Sequence, residues 1–426
     1  AVPPPTGHPG YPGHTPRTGR RAGTVALTTV LLLALTGLVG RSGADPGVAG
    51  CALPRHPVHH SLGLASGGGG PDPSHHPPTV GEPEAAMLFL SFPDSEPSRT
   101  PATIAASYFP VTADFFDRAS YGRLRLAPRI DDAWLPMPLP STAYDIGRDW
   151  SPRGREAYLR DALGLVAEHR PHLAGADILY LVADPTAPGV DADATKVVNL
   201  ERPITVAGNE LRRVVTLFEG EPPDRLVLAH ETGHVLGLPD LYHRPGHPGG
   251  NWDRYVGDWD LMGSQFGMAP DLFGWHRWKL GWLDDHQVAC PPVGGVTRHA
   301  LRPLAAPPEP GVPPEAGDTR MVVVRTGPSE ALVAEARLPI GNDRDLCTPG
   351  VLLYRVRSDV ASTRGPIEVI DGRPDGSACH GRSVRPELAD APLDTGMSHH
   401  DPVSGVRFEV GEREPGGGWW LRVIRP

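Results

Sequence analysis

The stretch HETGHVLGLPD at 230–240 constrains this chain more tightly than any other part of it. As a helix, it places His230 and His234 one turn apart on one face, so that both imidazoles reach one metal ion at about 2.0–2.1 Å. Glu231 then stands beside them, angled toward a metal-bound water. Zinc lowers the pKa of such a water toward about 7, and a carboxylate takes its proton as the oxygen attacks a carbonyl carbon. Two histidines leave such a site one protein ligand short, because catalytic zinc ordinarily keeps three plus an exchangeable position. Gly237 resolves the shortage: a left-handed residue ends the helix and swings Asp240 back as the third ligand, with Pro239 restricting the approach. A chance H-E-x-x-H in a chain with 19 His has odds on the order of a few per cent. Two histidines merely hydrogen-bonded in a core would leave the charged Glu231 and the Gly237 break without a purpose.

A second signal follows at 258–264, DWDLMGS, where Met262 sits in a tight apolar turn. Under a metal site, such a methionine acts as a soft, polarizable floor without being a ligand. The nearby aromatic residues, Trp252, Tyr255, Trp259, Phe266, Phe273, Trp275, Trp278 and Trp282, read mainly as packing. VDADATK at 190–196 alternates Asp191 and Asp193 with small residues and weakly invites Ca2+. It lacks a full oxygen-ligand loop, so a solvated acidic loop is the simpler expectation.

Composition sets the surroundings. The 426 residues leave room for two domains plus flanking segments. A formal net charge of -10 offers no broad positive surface for a phosphate backbone, so nucleic acid is not an expected partner. The 51 Gly and 51 Pro are a high share, and the excess sits largely toward the N-terminus. There the apolar run at 22–40 follows Arg20 and Arg21, as in an export signal, and is also long enough to remain as an anchor. The chain is therefore expected outside the cell, secreted or held on the outer face of the membrane by that segment alone. VAGC at 48–51 is similar to a lipoprotein box but is displaced from the apolar run. Cys51, Cys290, Cys347 and Cys379 form no C-x-x-C pair, and an even, dispersed set fits two disulfides. Cys347 with Cys379 and Cys51 with Cys290 are the expected pairs.

The organisation reads as a Pro/Gly-rich N-terminus over 1–50, a low-complexity linker over 51–84, a zinc metalloprotease domain over 85–290 and a β-rich domain over 291–426. In the linker, His59-His60 and His75-His76 read as solvated. Buried strands are expected at AAMLFLSF (85–92), ILYLVADP (178–185) and VVTLF (214–218), with helices over 101–119 and 155–168. The motif helix follows Pro222-Pro223, with Asp224 placed to favour its dipole. After the Pro-rich APPEPGVPPEAG, short runs such as MVVVRT, VLLYRV and WWLRVI suggest a small sandwich or barrel.

HETGHVLGLPDLY, GDWDLMGSQFG and GWHRWKLGWL together resemble the immune inhibitor A type of secreted bacterial metalloproteases, which are metzincin-like zincins. FFDRASYGRLRL at 115–126 supports the match, which covers about residues 85–290. The resemblance implies an α+β fold with a zincin-like catalytic domain, a mixed sheet plus active-site helix, ahead of the β-rich region. It also implies zinc at His230, His234 and Asp240, Glu231 as catalytic acid/base, and endopeptidase action on protein or peptide substrates. Two departures stand out. The extended metzincin pattern has His where this chain has Asp240, and the Tyr often found after the turn methionine is replaced by Ser264, Gln265 and Phe266. Tyr242 and Tyr255 are the alternatives for stabilising an oxyanion. The competing reading is a catalytically inactive extracellular binding protein with a vestigial metal site.

Overall fold

A computed structural model describes residues 50–56, 76–220, 223–224, 226–246, 250–268, 271–308 and 317–426. The apolar run at 22–40, His59-His60 and residues 309–316 of the Pro-rich segment lie outside the described residues.

Strand β1 (Ala85–Ser91) has almost no polar alternation because both of its faces are covered. Ala85, Met87 and Phe89 point into one core, and Ala86, Leu88 and Leu90 into another. It lies in a five-stranded sheet with β2 (Arg129–Pro136), β3 (Ile178–Ala183), β4 (Lys196–Val206) and β5 (Asn209–Leu217), in the order β2-β1-β3-β5-β4. The pairings are parallel except that β4 runs antiparallel to β5 and forms one edge. The helix expected over 101–119 is two helices, α1 (Pro101–Tyr108) and α2 (Val111–Ala119). Pro110 separates them: it has no N–H to donate, and it pushes the preceding Phe109 to an extended φ -118, ψ 137. Helix α3 (Pro152–His169) begins at Ser151, whose hydroxyl accepts from Gly154 N at 3.1 Å, with Pro152 in the first turn.

The β-rich region forms two further sheets. One is built from β6 (Val288–Ala289), β8 (Met321–Arg325), β9 (Glu330–Arg337), β10 (Gly350–Arg357) and β11 (Ile367–Ile370). The other comprises β7 (Gly295–Leu301), β12 (Ser398–His400), β13 (Arg407–Arg413) and β14 (Trp419–Arg425). The first of these sheets is apolar on both sides. Met321, Val323, Val333 and Tyr354 share a core with β1 and the motif helix. Val322, Val324, Leu332 and Leu353 pack against Phe408, Leu421 and Val423 of the other sheet. The described residues thus make one compact, mixed α+β unit.

Where the β-rich sheet meets the first core, charge is buried. Arg337, fully inaccessible, donates to both oxygens of Asp343 at 2.6 and 2.7 Å, to Glu335 at 2.9 Å and to Trp259 O at 3.1 Å. Glu335 in turn accepts from Tyr354 Oη at 2.8 Å and from Gly274 N, at the start of α5 (Gly274–Lys279), at 2.7 Å. Cys51–Cys290 and Cys347–Cys379 are both disulfides, as expected, and fit an oxidising compartment. Among the described residues, no helix is long and apolar enough to cross a membrane.

Candidate metal centre

The motif helix, α4 (Val227–Val235), carries His230 and Glu231 as buried residues. It is seated on β3, where Tyr180 Oη lies 3.0 Å from Thr232 Oγ1. It starts without a side-chain cap at Leu226, so Asp224 precedes the helix and lines the cleft described below. Its end is better defined. Leu238 N donates to Gly233 O at 3.0 Å and Gly237 N to His234 O at 2.9 Å, the paired bonds of a Schellman motif, with Gly237 left-handed at φ +90. Gly237→Ala should therefore cost at least about 1 kcal/mol from the left-handed conformation alone. A lowered midpoint in urea unfolding is the expected reading, and an unchanged one would contradict it.

That turn returns Asp240 to the helix. Asp240 Oδ1 lies 3.4 Å from His230 Nε2 and 2.9 Å from His234 Nε2. One ligand atom from each of the three residues falls within 4.8 Å of the others, the one such His/Cys/Asp/Glu group among the described residues. Each imidazole is oriented from behind: Nδ1 of His230 faces Leu261 O at 3.0 Å, and Nδ1 of His234 faces Leu238 O at 2.9 Å. A carbonyl only accepts, so Nδ1 is the donor and Nε2 points inward, as metal-ligating histidines are usually held. Asp240 Oδ1 is buried without a well-directed hydrogen bond, an oxygen left for a cation. Burial raises the Asp240 carboxyl, but the imidazoles outweigh it and hold the group well below the carboxylate range. Burial likewise disfavours charge on His234, yet Asp240 holds its pKa up at about 9. The group favours positive charge at its centre and could hold a metal ion. Asp240→Ala should weaken binding of a divalent metal ion at this group by more than the ~10–100-fold typical of losing an outer partner. Metal stoichiometry after dialysis would check this, and full occupancy would exclude Asp240 as a ligand.

Glu231 Oε2 accepts from Val197 N, at the start of edge strand β4, at 2.7 Å. Burial pushes its carboxyl up, against the pull of the two imidazoles. Met262 is fully buried beneath the helix, and a side chain on Gly233 would meet its sulfur at 2.5 Å. The turn around it is fixed by buried Asp260, which accepts from Met262 N at 2.8 Å, from Phe273 N at 2.7 Å and from His276 Nδ1 at 2.9 Å.

The three candidate ligand residues open on a cleft of about 580 Å³ whose walls include Lys196, Val197, Tyr242, Trp252, Phe266 and Ser362. Tyr242 stacks near His230, with ring centroids 6.4 Å apart, and burial raises its phenol pKa so that it stays protonated. Tyr255 instead packs edge-on against His243. Sequence reasoning missed Ser362, whose hydroxyl donates to Asp240 Oδ2 at 3.3 Å and accepts from Asp240 N at 3.0 Å. It stands 122 residues away in a loop without any motif. The carboxylates weighed for calcium are engaged otherwise: Asp191 accepts from Asp193 N at 3.0 Å, and Asp193 pairs with Arg148 at 3.0 Å. No protein-family model matches this chain, and no curated protein matches it either. The likeness to immune inhibitor A type proteases therefore rests on the quoted motifs.

Proposed function

We propose that this chain is a secreted zinc-dependent endopeptidase. The observation that carries the reading is the convergence of His230, His234 and Asp240 beside a buried, oriented Glu231 in an open cleft. Two imidazoles and a carboxylate are a donor set suited to zinc with a position left open. Zinc, when bound there, supplies Lewis acidity that polarises a carbonyl and acidifies a water. Glu231 takes the proton of the attacking water as the new C–O bond forms. It then delivers that proton to the nitrogen that leaves when the C–N bond breaks. Its raised carboxyl pKa suits both halves of the transfer. Tyr242, a protonated phenol in the cleft wall, serves as donor to the oxygen on which charge develops. An extended peptide fits along edge strand β4, which enters the cleft at Lys196 and Val197.

The test is casein hydrolysis by the purified chain, with and without a chelator and with zinc restored afterwards. Cleavage that the chelator abolishes and zinc returns is the expected outcome. Absence of chelator-sensitive cleavage would leave the reading of an extracellular binding protein with a vestigial site.

A further inference from the structure

The end of α4 is held from outside by the side chains of Arg213, Lys279 and His76, drawn from three places in the sequence. Arg213 of β5 donates from Nη1 to His234 O at 2.7 Å. Lys279 of α5 donates to Gly237 O at 2.8 Å. His76, from the segment read in sequence as solvated linker, places Nδ1 3.1 Å from Val235 O and Nε2 3.2 Å from Arg213 Nη2. The carbonyl fixes Nδ1 as a donor and the guanidinium fixes Nε2 as an acceptor, so His76 is a neutral imidazole wedged between helix end and arginine. Its ring lies against Gly237, where a side chain would meet His76 Cε1 at 2.7 Å.

The segment carrying His76 is itself anchored. Thr79 Oγ1 donates to Leu280 O at 2.8 Å, Trp282 Nε1 donates to Thr79 O at 2.7 Å, and Gly81 N donates to Arg123 O at 2.7 Å. A helix end leaves its last carbonyls without intrahelical partners. Here His234 O, which already accepts from Gly237 N, gains Arg213 as a second donor, Val235 O takes its donor from His76, and just past the helix Lys279 holds the carbonyl of Gly237, the residue that turns the chain toward Asp240. The Arg213 guanidinium there also opposes the negative end of the helix dipole.

We propose that His76 is a positioning residue of the metal centre: by bonding Val235 O and Arg213 it fixes the helix end from which Asp240 is returned to the two imidazoles. The inference rests on the metal-site reading above, and its test reads metal rather than catalysis.

Zinc affinity of the full chain is measured by competition with a chromogenic chelator, and the cobalt(II)-loaded chain is examined by visible absorption. His76→Ala is expected to lose about tenfold in zinc affinity, the lower end of the effect of losing an outer partner, and to shift the cobalt bands. His76→Asn sets an amide N–H where Nδ1 stands and is expected to recover most of the loss. His76→Gln sets it where Nε2 stands and is not. This ranking of Asn over Gln separates positioning from general packing, and it remains readable if the alanine variant fails to fold. Zinc affinities within twofold across parent, Ala, Asn and Gln, or Gln binding better than Asn, would overturn the inference while leaving the metal centre standing. A parent chain that binds no zinc would overturn both.

Discussion

Glu231→Gln is expected to keep the metal content of the chain and to lose about 10²–10⁴-fold in peptide hydrolysis, the range contributed by a positioned general base. The substitution keeps shape and size, and the amide carbonyl can still accept the hydrogen bond from Val197 N that orients Glu231. What it removes is the capacity to take a proton from water. None of the three candidate ligand atoms belongs to residue 231, so zinc stoichiometry should match the parent. The loss should fall on kcat, because the proton moves only as the transition state is approached. Casein turnover equal to the parent's at full zinc loading would remove Glu231 from the mechanism.

Arg337→Met should cost roughly 3–5 kcal/mol of stability, the range for breaking a buried ion pair by removing one partner. The methionine fills much of the space, but Asp343 and Glu335 lose the cation that both contact within 2.9 Å. Burial already raises both carboxyls above their ordinary values, with Arg337 the main opposing influence. Without it they rise further. A carboxyl whose folded pKa lies above its unfolded one binds more protons when folded, so its contribution becomes more unfavourable as pH rises through that interval. The deficit in the variant should therefore be largest at neutral pH and shrink as pH falls toward the ordinary carboxylate range. Urea unfolding at several pH values would show this, and a deficit independent of pH would contradict it.

Much of the fold was legible where one physical demand dominates a segment. β1 and β3 are buried on both sides and read as apolar runs, and the end of α4 carries Gly237. β2 and β4 went unread because edge positions tolerate charge: RIDDAWLP and KVVNLERPITV show neither a continuous apolar run nor clean alternation. The ligand group was legible because its three members fall within eleven residues and one helix end. Ser362, Val197 and His76 were not, since each reaches the site through tertiary folding. His76 in particular sits in a Pro- and His-rich tract whose local composition says nothing of a distant helix end.

The sheet formed by β6 and β8–β11 is dry on both sides, which has a consequence for ancestry as well as for engineering. The stretch bearing the histidines cannot be inherited, swapped or trimmed as a self-sufficient cassette, because its underside is completed by strands encoded after residue 320. Recombination that parted the two would strand apolar surface on each fragment. The smallest heritable piece that keeps the motif folded therefore extends through the third sheet, almost to the last residue.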